Sequence, residues 1–141
     1  SKKMIFRLLM SNYFYLAIMM IEQKYETPYG NLECYECYVV FHLKTTEVTV
    51  ELAKHVLRLS NDHYKGRKYV FISEREFASN VDPEAYKFVN PRQMIGHAIV
   101  SKDADVKAEA VSEMELFKGA VSFFPSVKEA ASWAETVVRP A

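Results

Sequence analysis

The residues closest to a reaction centre by type and spacing are Cys34 and Cys37, in "ECYEC". Two thiols three positions apart can supply half a zinc site or a redox pair. Zinc needs a second pair of ligands, and the histidines (His42, His55, His63 and His97) are scattered along the chain. A thioredoxin-like pair opens a helix after a strand, where the helix N-terminus lowers the thiol pKa. The surroundings here, "NLECYECYVVFHL", are aromatic and β-branched and read as strand, turn, strand. Cys34 and Cys37 are therefore expected to be two ordinary thiols in a reducing compartment. His55 and His63 lie eight apart on one helix, too far to share a metal. His97, between Ile95 and Ile99, reads as a hydrogen-bonded core histidine. The four glycines stand far apart, so no glycine-rich phosphate loop exists, and there is no Gly-x-Ser-x-Gly elbow. No base–nucleophile or metal set can be assembled, and the expectation is a non-enzymatic protein with no cofactor.

One polar cluster has a better address. In "ISEREFASNVDPEAY", Ser73, Arg75, Ser79, Asp82 and Tyr86 follow a predicted strand at its carboxyl end. Open α/β sheets bind ligands there. A helix starting at Pro83 would offer free N–H groups and a positive dipole end, suited to an anion or a phosphoserine. The same residues also suit plain capping and turn formation, since Ser-Asn and Asp-Pro are good turn formers. Both readings stay open at this point.

The elements that must position this cluster follow from periodicity. Residues 23–44 read as antiparallel strands, 23–27 or 31–35 and then 37–44, broken at Pro28–Gly30 and near Tyr35–Glu36. Residues 49–63 carry Val48, Leu52, Val56 and Leu59 at helical spacing, with Thr49 as N-cap and Gly66 as stop. "RKYVFIS" (67–73) and "MIGHAIVS" (94–101) are apolar runs typical of buried strands. Between them Asp82 caps a short helix with Pro83 at its first position. A helix over about 103–118, a strand at 120–124 and a final helix capped by Ser126 and Glu129 complete the chain. The order β-β-α-β-α-β-α-β-α predicts an α/β fold. Its sheet is mixed and mostly parallel, about five strands with an N-terminal antiparallel hairpin and about four helices, covered on both faces.

The totals suit one domain: 141 residues, 50% hydrophobic, with Lys plus Arg equal to Asp plus Glu at 18 each. No basic footprint for nucleic acid stands out. The opening "SKKMIFRLLMSNYFYLAIMMIEQKY" asks whether residues 4–21 cross a membrane. A span needs ~20 apolar residues. This stretch contains Arg7, Ser11 and Asn12, and a mid-span Arg costs roughly 2.5–3.5 kcal/mol. A small-x-small cleavage site is also lacking. Residues 1–20 are expected to be an apolar N-terminal extension ahead of a domain over 21–141. Residues 4–20 are expected to form a helix with Phe6, Leu9, Tyr13, Leu16 and Met20 on one stripe, docked on protein, in a homodimer.

Five stretches carry a resemblance: "YGNLECYE", "YKGRKYVFISER", "SNVDPEAYK", "IGHAIVS" and "FFPSVKEAASWA". Over about 21–138 they resemble the SpoIIAA-like STAS/CRAL-TRIO-type domains of bacteria. The resemblance implies a small cytoplasmic α/β domain, regulatory and non-enzymatic, that binds a protein partner as anti-sigma-factor antagonists do. In that class a Ser near the helix after this strand is phosphorylated. Ser79 stands nearest here, in "FASNVDP", without the following Gly. The lipid-carrier side of the relationship implies instead a carrier or sensor of a small apolar ligand, held between helices and sheet.

Overall fold

The computed structural model describes residues 1–77 and 80–140, and for residues 11–19 the backbone only. Its core is a six-stranded sheet in the order β1 (Gln23–Thr27), β2 (Gly30–Cys34), β3 (Tyr38–Leu43), β5 (Tyr69–Arg75), β7 (Met94–Val100), β8 (Ala120–Phe124). The first three pair antiparallel, and β3, β5, β7 and β8 pair parallel. The sheet has six strands rather than about five because both breaks between 23 and 44 are true turns. At the first, Gly30 sits at φ +144° with its Cα against the neighbouring strand; a Cβ there would lie 2.1 Å from the His42 carbonyl oxygen.

The parallel crossovers β3 to β5, β5 to β7 and β7 to β8 all step the same way along the sheet, and the right-handed rule for such connections puts them on one face. That face carries α2 (Val50–His63), a 3-10 helix at Pro83–Phe88, and α3 (Ala104–Ala110) with a second 3-10 helix at Val111–Glu115. The opposite face carries α4 (Val127–Val138). The side chains of β5 alternate accordingly. Tyr69 and Phe71 pack under α2, while Val70 and Ile72 pack under α4. Caps sit where they were expected: Thr49 Oγ1 accepts from Leu52 N, Asp82 Oδ1 from Glu84 N, and Ser126 Oγ from Glu129 N.

Two short strands, β4 (Glu47–Val48) and β6 (Asn80–Val81), form a separate parallel pair. They tie the loop after β5 to the entrance of α2. The helix expected over 103–118 changes pitch at Val111. Ser112 Oγ bonds back to the Glu109 carbonyl at 3.0 Å, and the tighter turn keeps Glu113 aimed at the sheet.

Tyr64, at the end of α2, closes the core of this face. Its ring stacks on Tyr69 with centroids 4.5 Å apart, and its hydroxyl lies 2.6 Å from the carbonyls of both Tyr35 and Tyr38. One proton serves both acceptors across the β2–β3 turn. Tyr64→Phe keeps the ring and strips that donor from two carbonyls. We expect a loss of about 1–3 kcal/mol in urea unfolding with an unchanged m-value. A loss below about 0.5 kcal/mol would mean that water replaces the hydroxyl.

Residues Lys2–Met19 form α1, as expected for this stretch. Phe6 and Leu9 are exposed by 64% and 62%, and Met20 is also exposed. Tyr13 and Leu16, the other stripe positions, have side chains outside those described. Among the described residues, no helix is long and apolar enough to cross a membrane.

Candidate functional site

The polar residues that β5 and β7 carry on the α2 face meet at the carboxyl end of the sheet. Ser73 and Arg75 are two positions apart on β5, hence on one face, and both are buried. The Arg75 guanidinium forks onto Glu113: Nη1 to Oε2 at 2.5 Å and Nη2 to Oε1 at 2.9 Å. Arg75 Nε donates to Ser73 Oγ at 3.2 Å. The Tyr86 hydroxyl donates to Glu113 Oε1 and lies 3.3 Å from His97 Nδ1. The single Tyr86 proton goes to the carboxylate, so Nδ1 of His97 must be the protonated nitrogen, donating to the Tyr86 oxygen. The result is a continuous chain from His97 through Tyr86 and Glu113 to Arg75 and Ser73.

The electrostatics are those of a dry ion pair. Burial raises the Glu113 carboxyl, but the hydrogen bonds and charge of Arg75 outweigh it and hold the group below the usual range. Burial, with Glu113 adding to it, raises the Tyr86 phenol. Burial and then the Arg75 charge push His97 down to about 4, against a smaller opposing pull from Glu113.

His97 therefore stays neutral in the folded chain while the unfolded chain, near the ordinary 6.5, takes up a proton. Its contribution to stability is full above about pH 6.5 and is lost as the pH falls towards 4. Arg75, Glu113 and Tyr86 are the polar groups that face it; Phe71 and Phe117 pack edge-on against its ring. Stability measured from pH 7 to pH 4.5 should fall more steeply in the wild type than in His97→Gln. Parallel curves would mean that His97 does not titrate in this window.

Beside the network lies a cavity of about 60 Å³ under α2. Leu52, Val56 and Leu57 come from α2, Val48 and Val81 from the short strand pair, and Phe41, Phe71 and Met94 from the sheet. Ser73, Arg75, Tyr86, His97 and Glu113 form its polar end. Outside it, across Tyr86, Val89 and Met94, a groove of about 390 Å³ runs along Ile95, Leu116 and Phe117. Those first three residues line both spaces and separate them.

The structure thus brings Ser73, Arg75 and Tyr86 together, but inside the protein and not on an open loop. Strand β5 runs to Arg75, two residues beyond the expected end, and carries both side chains inward. Asp82 is exposed and caps the 3-10 helix. Ser79 lies outside the described residues. Two members of the network were not among the expected site residues: His97, which was read as core, and Glu113. Glu113 did leave a signal, because it extends the buried Val106–Ala110 stripe of α3 by three residues and precedes buried Phe117 by four.

Elsewhere, Cys34 and Cys37 are buried free thiols, each pushed up to about 12 mainly by burial. On the α4 side His42 contacts the Glu33 carboxylate and, through Nδ1 at 2.8 Å, Glu74. Burial lowers the His42 pKa, and the two carboxylates more than reverse that. Among the described residues, no group of three or more His, Cys, Asp and Glu is arranged to hold a metal ion. Compared with protein-family models, curated proteins and solved structures, the chain matches none of them.

Proposed function

We propose that this chain is a non-enzymatic binding domain of the SpoIIAA-like kind, and that it carries or senses a small, largely apolar ligand. One observation carries the reading. The cavity under α2 is apolar on all sides but one, and the remaining side is a hydrogen-bonded polar network. Small-molecule sites have this composition: apolar walls with a few fixed polar groups. No member of the network is placed as an activated nucleophile, because the acid is ion-paired and the histidine is spent on Tyr86. Titration of the full chain with n-hexanol and with benzene, followed by amide NMR, tests the proposal. Shifts confined to the lining segments around 41, 48–57, 69–75, 81–97 and 113 support it. Absent or scattered shifts at millimolar ligand overturn it.

A second reading is a regulatory protein-interaction domain acting in the cytoplasm, and the exposed apolar residues of α1 favour it. Met4, Phe6, Leu8 and Leu9 are each about 60% exposed on this chain, and such a patch seeks a cover. A second copy of the chain, paired through residues 4–20, is the partner under this reading. Deletion of residues 1–18 should leave the sheet domain folded by circular dichroism and convert a dimer to a monomer in light scattering. An unchanged mass refutes pairing through α1.

A further inference from the structure

We infer that the ligand is a short aliphatic monocarboxylate, and that Glu113 is the built-in stand-in whose place on Arg75 and Tyr86 its carboxylate takes. The inference rests on the apolar-ligand reading above and names the ligand's head group.

The donors define the class. Arg75 Nη1, Arg75 Nη2 and the Tyr86 hydroxyl all converge on the two oxygens of one carboxylate. Arg75 is 4% exposed, and a buried guanidinium must keep an anion. Any molecule that displaces Glu113 must therefore bring a negative charge of its own. An amine would compete for Glu113 and leave Arg75 bare. A phosphate dianion would bring more charge than one cation balances, because Arg75 is the cation of this network and His97 is held neutral. A planar monoanion with two oxygens matches the fork.

The tail follows from the space. The cavity of about 60 Å³ is well above the roughly 10–15 Å³ that holds a single water, and the departing Glu113 side chain adds its own volume. That suits a tail of a few carbons against Leu52, Val56 and Phe71. Longer chains would pass Tyr86, Val89 and Met94, which line both spaces, into the groove along Leu116 and Phe117.

Glu113 is seated so that it can leave. It belongs to a five-residue 3-10 helix with no side-chain cap, a helix type with poor hydrogen-bond geometry. Its neighbours Val111, Met114 and Leu116 are exposed apolar residues. A turn of this segment would carry the carboxylate to water and bring an apolar side chain towards the network. Swapping one carboxylate for another leaves the ion pair intact, so burial of the tail sets the preference.

The test is NMR titration of the full chain at pH 7 with acetate, butyrate and hexanoate, and with n-hexanol as the uncharged control. Affinity should rise about three- to fourfold per methylene from acetate to hexanoate. Shifts should appear at Arg75 Nε, Tyr86 and the amides of 111–117. Glu113→Gln, which removes the competing charge, should bind hexanoate at least tenfold more tightly. The double variant Arg75→Met/Glu113→Met should lose hexanoate and keep n-hexanol, which separates charge recognition from any loss of fold. Binding of n-hexanol without hexanoate overturns this inference and leaves the apolar-ligand reading standing. Binding of neither overturns both. Equal hexanoate affinity in wild type and Glu113→Gln overturns the exchange.

Discussion

Arg75→Ala should cost about 3–5 kcal/mol at pH 7, because it leaves the Glu113 carboxylate buried without its cation. The ion pair itself is not the source of that loss. Two charges brought out of water repay little more than their desolvation, so a well-packed apolar pair in their place can be as stable. Arg75→Met/Glu113→Met should therefore recover most of the loss. The pH response separates the two variants further. In the wild type Arg75 holds the Glu113 carboxyl below its ordinary value, so its contribution is full above about 4.5 and is lost as the pH falls. In Arg75→Ala the hydrogen bonds and charge of Arg75 are gone, and burial, the largest remaining influence, raises the carboxyl. Protonation then relieves the variant, and its deficit should shrink from pH 7 to pH 5. Urea unfolding at the two pH values measures both effects. A single-variant loss below about 1 kcal/mol would show that water reaches the pair, and the carboxylate-receptor idea would go with it.

The sheet and its helices were legible because each rests on a short-range pattern. The apolar runs at 67–73 and 94–101, the strand at 120–124, and the caps at Thr49, Asp82 and Ser126 all point the same way. The extra strand was less legible. The stretch 23–44 holds two turns, and which segments pair depends on contacts across strands that no local pattern states. The site was legible by half for a related reason. Ser73, Arg75 and Tyr86 lie within one stretch of chain, so a local cluster could be seen. Whether they face water or the core depends on where β5 ends, a boundary that shifts by a residue or two. Their anion, Glu113, arrives from a segment 38 residues beyond Arg75. Only the oddity of a charge on an apolar stripe announces it. Ser79, the expected phosphate acceptor, lies outside the described residues, so that part of the reading stands where the sequence left it.

Leu52→Ala should lower stability by about 3 kcal/mol and create the condition in which an apolar guest is most visible. Leu52 is almost fully buried on the first turn of α2 and lines the cavity under it. Trimming a buried leucine to alanine costs about 2–5 kcal/mol, and the cost grows by about 24 cal/mol for each Å³ left empty. Collapse is opposed here from both ends. Thr49 pins the helix start through the Leu52 amide, and Tyr64 anchors its end to the β2–β3 turn. The void should therefore persist and merge with the existing cavity of about 60 Å³. The part left by Leu52 has apolar walls, and such a space stays dry and accepts a guest such as benzene. Saturating benzene should then return part of the lost stability in proportion to its occupancy, raising the unfolding midpoint of Leu52→Ala more than that of the wild type. Leu52→Met, which keeps the volume, should lose less than about 1.5 kcal/mol and gain little from benzene. If Leu52→Ala loses under about 1 kcal/mol, α2 has settled into the gap. If it loses about 3 kcal/mol and gains nothing from benzene, the space under α2 is closed to apolar guests, which counts directly against the binding function proposed above.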